Sequence, residues 1–193
     1  MGSVLVVCTA NVCRSPLGEG FVRRALRARM GNAAPEVRSA GTDGWEGSGA
    51  TPESIRAGAE RGLDVAAHAA RRLHPRMVDH ADLVVTMTRE HRREVVAVVP
   101  SAAPRTFTLK ELTRLAEALP DPGNGDGLVE RIRQADALRR TGFVAEGGDE
   151  DVADPLGMSL DTYRAIAWEI ERFSERMVDA LVGRAGVTER EAG

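Results

Sequence analysis

The strongest constraint on what this chain can fold into lies in its first sixteen residues. Val4 to Val7 is a short, unbroken apolar run, which predicts a strand buried on both faces. Ser15 is a natural helix N-cap and Pro16 suits the first helical position, so a helix is expected to begin there. Between strand and helix lie Cys8, Thr9, Ala10, Asn11, Val12, Cys13 and Arg14, with five residues separating Cys8 from Arg14. In so tight a loop, successive backbone N–H groups turn inward and make a nest for an anion. Asn11 is a residue type that tolerates the left-handed backbone such a loop requires. Arg14 adds a planar fork of donors suited to two phosphate oxygens. Cys8 is expected at the floor of the nest, where positive potential favours its thiolate and a bound phosphorus would be open to attack.

Composition narrows the classes that can use such a loop. The 193 residues suggest one domain with room for a long insertion. A formal net charge of −3 gives no reason to expect affinity for nucleic acid or a membrane surface. No apolar run is long enough to span a bilayer, and the chain enters its first strand at once, so no signal peptide is expected. Cys8 and Cys13 both lie in the loop, which argues against a disulfide framework and fits a reducing cytoplasm. His68, His74, His80 and His91 do not stand at metal-ligand spacing, and no nucleotide-binding glycine pattern is present. No metal or organic cofactor is expected.

Further along, strand and helix signals alternate. Helices are expected over 16–31, 52–61, 89–99, 110–119 and 128–140, and strands over 36–40, 81–87 and 105–108, which predicts a four-stranded parallel α/β sheet. Residues 116–151 change character, rich in Pro and Gly and then acidic from Glu146 to Asp151. Their apolar content is too low for a separate core, so they read as an insertion within one domain spanning 1–183. Ser159 to Val182 carries Leu160, Tyr163, Ile166, Ile170, Phe173, Met177 and Leu181 at helical spacing, the stripe of a core-facing helix. Trp168 points the other way and is either exposed or covered by the insertion. Residues 184–193 are expected to be a frayed tail.

The run Val-Cys-Thr-Ala-Asn-Val-Cys-Arg-Ser-Pro closely resembles the signature of low-molecular-weight protein tyrosine phosphatases. Val37-Arg38-Ser39-Ala40-Gly41-Thr42, His68-Ala69-Ala70-Arg71 and Asp154-Pro155 extend the likeness from Val4 to about Leu115 and from Val152 to about Leu181. The resemblance implies a phosphomonoester hydrolase that acts on phosphorylated protein through a cysteinyl-phosphate. It implies Cys8 as nucleophile, Arg14 on the phosphate oxygens and Asp154 as general acid. It further implies Ser39 and His68 holding Asn11, and Ser15 hydrogen-bonding the Cys8 thiolate. Asp121-Pro122 repeats the Asp-Pro pair but lacks the long helix immediately after it. Cys13 is a candidate redox partner for Cys8.

The expected substrate pocket comprises Val12 at its mouth, Trp45 and Leu156. Branched aliphatic residues at the position of Val12 accompany phosphotyrosine hydrolysis in the resembling family, and threonine accompanies phosphoarginine hydrolysis. Leu156 and Gly157 depart from the aromatic residues usual after the Asp-Pro pair. Thr86-Met87-Thr88 and Phe107-Thr108-Leu109-Lys110-Glu111 look more like bacterial protein-arginine phosphatases. The alternatives are therefore an arginine phosphatase, a thiol-dependent arsenate reductase, which needs more cysteines than are present, and a silent phosphoresidue-binding module. Neither the physiological substrate nor the oligomeric state is legible.

Overall fold

A computed structural model describes residues 2–122, 126–143 and 149–183. Four strands, β1 (Ser3–Cys8), β2 (Glu36–Gly41), β3 (Leu83–Thr86) and β4 (Thr106–Thr108), form one sheet in the order β2-β1-β3-β4. Every pairing is parallel, with Val6 opposite Ser39 on one side and Val85 on the other. The apolar run of β1 is buried on both faces, as its sequence requires. Val4, Val6 and Cys8 join the larger core, while Leu5 and Val7 join a smaller one with Val78, Val84 and Val95. A parallel sheet needs such double cover because its crossovers place helices on both faces.

The larger core is closed by α1 (Arg14–Met30), α2 (Pro52–Ala59), α5 (Leu109–Ala118) and α7 (Leu160–Val182). The apolar stripe of α7 packs mainly against α1 and α5. A Cβ on Gly18 of α1 would sit within 3 Å of Met87 and Val6 side-chain carbons, so the helix crosses the sheet closely there. On the other face lie α3 (Pro75–Asp79) and α4 (Arg89–Val98). The short α3 was not expected from sequence. Its N-cap is His74, whose ring accepts from Arg76 N–H, a weaker signal than Ser, Thr, Asp or Asn. Thr51, Thr88 and Ser159 cap α2, α4 and α7 by the ordinary rule, and Thr108 with Glu111 forms a capping box on α5.

One expectation needs correction. Helix α1 begins at Arg14, flanked by Cys13 with no side-chain cap, and not after a Ser15 cap. The Ser15 hydroxyl is committed to Cys8 and Asn11 instead. Within the segment read as an insertion, the expected helix is present as α6 (Leu128–Arg140), and its Ile132 and Ala135 belong to the main core. Arg131 of α6 is fully buried and donates to the Ala180 carbonyl near the end of α7. Trp168 is exposed, with the Arg172 guanidinium over its ring. Glu146, Gly147, Gly148, the turn glycines Gly123 and Gly125 and the 184–193 tail lie outside the described residues. No helix among the described residues is long and apolar enough to cross a membrane.

If α6 is part of the cooperative unit, Ile132→Ala should cost about 2–5 kcal/mol, the usual range for truncating a buried Ile. Chemical denaturation followed by circular dichroism should show one shifted transition with an unchanged slope. An unshifted main transition would make α6 an independent appendage.

Candidate active site

The strand order reverses its direction of growth between β1 and β3, so the loops leaving these strands diverge. In open α/β sheets that divergence makes a crevice at the carboxyl ends of the strands, where ligands bind. Cys8 ends β1, and Thr88 follows β3. The loop between Cys8 and Arg14 fills the crevice.

Its backbone is held by its carbonyls. Cys8 O accepts from Thr42 N–H at 2.9 Å, Thr9 O from Asp43 N–H at 3.0 Å, and Ala10 O from Trp45 N–H at 3.1 Å. Asn11 O is 2.7 Å from His68 Nε2, and Val12 O accepts from Thr51 N–H at 2.9 Å. Because the N–H of a trans peptide points opposite to its carbonyl, the N–H groups of residues 9 to 13 face away from these tethers, into the loop. Two features make the close approach possible. Asn11 has φ 59°, a left-handed backbone. Gly41 has no side chain, and a Cβ there would lie 2.2 Å from Thr9 O.

The side chain of Asn11 sets the proton order beneath. Its Oδ1 accepts from Arg71 N–H at 2.8 Å, which fixes the amide orientation. Nδ2 then donates to Ser15 Oγ at 2.8 Å and Ser39 Oγ at 2.9 Å. Ser39 donates its own proton to Glu19 Oε2 at 2.6 Å. Ser15, already accepting from Asn11, has its proton free for Cys8 Sγ, 2.9 Å away. Ser39 and His68 thus both reach Asn11, one through the side chain and one through the backbone. Burial pushes the His68 ring below its usual pKa, and a neutral ring donating Nε2–H suits the Asn11 carbonyl. Glu19 was not foreseen, although its place one turn after Ser15 on α1 is a usable signal.

Arg14 is buried at the other wall. Nη1 donates to Val152 O at 3.0 Å, and Nη2 to Thr9 Oγ1 at 3.3 Å and to Asp154 Oδ2 at 2.6 Å. Nε is buried and has no hydrogen-bond partner. Asp154 therefore stands at the loop, while Asp121 borders a separate crevice with Glu117, Arg176 and Asp179. The acid segment is pinned in place. Val152 N–H donates to Met87 O at 2.8 Å, and Asp151 Oδ1 accepts from Arg89 N–H at 2.7 Å at the start of α4. Lys110, the chain's single lysine, donates to Asp151 O at 2.8 Å and pairs with Glu169 of α7.

Cys13 points away from solvent. Its Sγ is 3.5 Å from Tyr163 Oη and 3.7 Å from Thr51 Oγ1. Burial pushes its thiol pKa up, and the Tyr163 phenol is pushed up to about 12, chiefly by burial, so both stay protonated at neutral pH. Val12 was expected at the pocket mouth but is 2% exposed and joins the main core, because the turn that presents the backbone inward folds this side chain under the loop. Trp45, whose N–H is on the loop carbonyl of Ala10, is 49% exposed, and Leu156, two residues after Asp154, is 43% exposed. His91 carries no ligand-spacing signal in the sequence, yet it reaches the loop. Three residues after the Thr88 cap, it lies buried between Thr88 Oγ1 at 2.8 Å and Thr9 Oγ1 at 2.9 Å. Among the described residues no His, Cys, Asp or Glu cluster could hold a metal ion.

The family model for low molecular weight phosphotyrosine protein phosphatase matches residues 3–135. A low molecular weight protein-tyrosine-phosphatase of Streptomyces coelicolor is 36% identical over 182 residues, 92% of each chain. A protein-arginine-phosphatase of Geobacillus stearothermophilus is 32% identical over 178 residues, 92% of this chain and 95% of the relative. Among solved structures, the low molecular weight protein tyrosine phosphatase from T. tengcongensis superposes with a TM-score of 0.69 at 30% identity, covering 93% of this chain and 99% of that one. With a family model over residues 3–135 and relatives alike over most of its length, the chain belongs to the low molecular weight phosphotyrosine protein phosphatase family.

Proposed function

We propose that the protein removes phosphate from phosphotyrosine in proteins. The observation that carries this reading is the outward tethering of the carbonyls of residues 8 to 12. It leaves the five N–H groups of residues 9 to 13 facing into the loop that Cys8 opens, beside a buried guanidinium whose Nε has no hydrogen-bond partner. Oriented donors at a fixed distance are what a phosphoryl group in transfer requires, because little else stabilises its equatorial oxygens.

In this reading the incoming phosphate takes the Arg14 fork and displaces Asp154 toward the leaving oxygen. Cys8 Sγ attacks phosphorus, the P–O bond to the leaving group breaks, and Asp154 gives that oxygen its proton. Water then attacks the cysteinyl phosphate, Asp154 takes a proton from it, and inorganic phosphate leaves with the Cys8 thiolate restored. Ser15 steadies that thiolate as leaving group. Cys8→Ser should abolish hydrolysis of a small aryl phosphate, and Asp154→Ala should lower kcat by roughly 10²–10⁴-fold, the usual worth of general acid–base catalysis. Asp121→Ala should leave it unchanged. Steady-state kinetics of the three variants check this, and full activity of Asp154→Ala would remove it as the acid.

The choice of tyrosine rests on Val12 and on Trp45 beside the loop. An aromatic pair contributes about 0.5–1.5 kcal/mol beyond the area it buries. Arginine is the second reading, favoured by the 32% identity to the Geobacillus protein-arginine-phosphatase and by Leu156 in place of an aromatic wall. In direct competition the wild type should hydrolyse phosphotyrosine peptide before phosphoarginine peptide, and Val12→Thr should shift the ratio toward phosphoarginine. The buried position of Val12 implies that this shift acts through the loop backbone and not through contact. A wild type that prefers phosphoarginine would reassign the substrate while leaving the roles of Cys8, Arg14 and Asp154 intact.

Cys13 serves in this scheme as redox partner. Peroxide oxidises the Cys8 thiolate to a sulfenate, and the Cys13 thiol condenses with it to a disulfide with loss of water. Cys13→Ser should be active but should lose activity irreversibly after peroxide. Full recovery of that variant with a thiol reductant would rule the role out.

A further inference from the structure

We propose that His91 is a positioning residue that holds Thr9, and through it the Arg14 guanidinium, while Asp154 is away protonating the leaving group. The inference rests on the phosphatase reading of the loop.

The geometry is a line of polar contacts across the site. From α4 it runs Thr88 Oγ1, His91 Nδ1 at 2.8 Å, His91 Nε2 to Thr9 Oγ1 at 2.9 Å, Arg14 Nη2 to Thr9 Oγ1 at 3.3 Å, and Arg14 Nη2 to Asp154 Oδ2 at 2.6 Å. Thr88 already caps α4 by accepting from His91 N–H at 3.2 Å, so the helix needs nothing more from the imidazole. What the ring adds is the reach to Thr9, the residue directly after Cys8. Packing alone would be met by an apolar side chain of similar size, with no need for two hydrogen bonds on opposite nitrogens.

The charged groups facing the ring are Arg14 of α1 and Asp151 and Asp154 of the acid segment. Burial first, and then the Arg14 cation, hold its pKa down to about 4, so it is neutral in the working range. A neutral imidazole carries one donor and one acceptor, and either tautomer satisfies both hydroxyls without setting a second positive charge against Arg14.

The role follows from what Arg14 loses in turnover. Its side-chain contacts are Val152 O, Thr9 Oγ1 and Asp154 Oδ2. When Asp154 swings to the leaving oxygen and phosphate takes the fork, Thr9 Oγ1 is the protein partner that Nη2 keeps. A Thr9 free to change rotamer would let the guanidinium tilt at the moment its fork must match the equatorial oxygens. His91 fixes that rotamer. The loss should therefore fall on kcat more than on KM.

The test is steady-state hydrolysis of a small aryl phosphate by wild type, His91→Ala, His91→Gln, Thr9→Val and the double variant His91→Ala with Thr9→Val, with the thermal midpoint of each. His91→Ala is expected to lower kcat roughly tenfold with KM changed less than about threefold, the scale of one hydrogen bond near a charged group. His91→Gln, whose amide can reach Thr9, should recover most of the loss. Thr9→Val should resemble His91→Ala, and the double variant should be no worse than either by more than about twofold, because both changes cut the same contact. Should His91→Ala fail to fold, Thr9→Val and His91→Gln carry the same comparison. A His91→Ala enzyme with wild-type kcat, a Gln variant as impaired as Ala, or losses that multiply in the double variant would overturn the proposal. A wild type whose aryl phosphate hydrolysis is absent, or survives Cys8→Ser, would instead overturn the phosphatase reading.

Discussion

The structure of the site depends on one constraint: the carbonyls of residues 8 to 12 are each hydrogen-bonded outward. A loop this short cannot turn its amides inward for nothing, since a carbonyl left without a partner in a buried place is costly. The segments 42–51 and 68–71 provide the partners. Their own route is set by β2, whose last residue Gly41 lets the two backbones meet. The family loop is thus a product of two layers of backbone, and the signature motif is only the inner one.

The polar chain beneath the loop acts in the same sense. Arg71 N–H orients Asn11, Asn11 orients Ser15 and Ser39, and Glu19 takes the proton that Ser39 would otherwise offer back. Every proton in that chain has one place to go, so Ser15 is left pointing at Cys8. Preorganisation of this kind costs nothing at the moment of reaction, because the donors need not rearrange. On the other side of the loop, Asp151 on the first turn of α4, Val152 on Met87 and Lys110 on Asp151 bring the acid segment to Arg14. The late part of the chain is thereby fastened to the crevice by the loops that follow β3 and β4.

Substrate preference is where similarity and geometry give different weights. Relatives that act on tyrosine and on arginine are alike in identity to this chain, and both families of side-chain cue occur in it. The side chain of Val12 is buried in the main core, while Trp45 and Leu156 are exposed.

Much of this was legible in the sequence. The double burial of β1, the parallel sheet, the loop from Cys8 to Arg14 and the core stripe of α7 follow from apolar periodicity, caps and turn residues, which act between neighbours in the chain. Asn11 announced its left-handed backbone by residue type. The family signature pointed to Ser39 and His68 as supports, and the structure places both on Asn11. Tertiary structure alone decided the rest. The resemblance and the helix that follows favoured Asp154 over Asp121, but the contact that sets Asp154 on Arg14, 140 residues away in sequence, comes from the fold. Glu19, His91 and Lys110 gain their meaning from partners on other elements, and Val12 loses its expected exposure to the turn of its own loop. Ser15, a cap by local rule, was drawn off by Cys8 and Asn11. Local pattern specifies where hydrogen bonds along the backbone begin and end; which polar side chains meet depends on how separate elements cross, and that is set by packing of the whole chain.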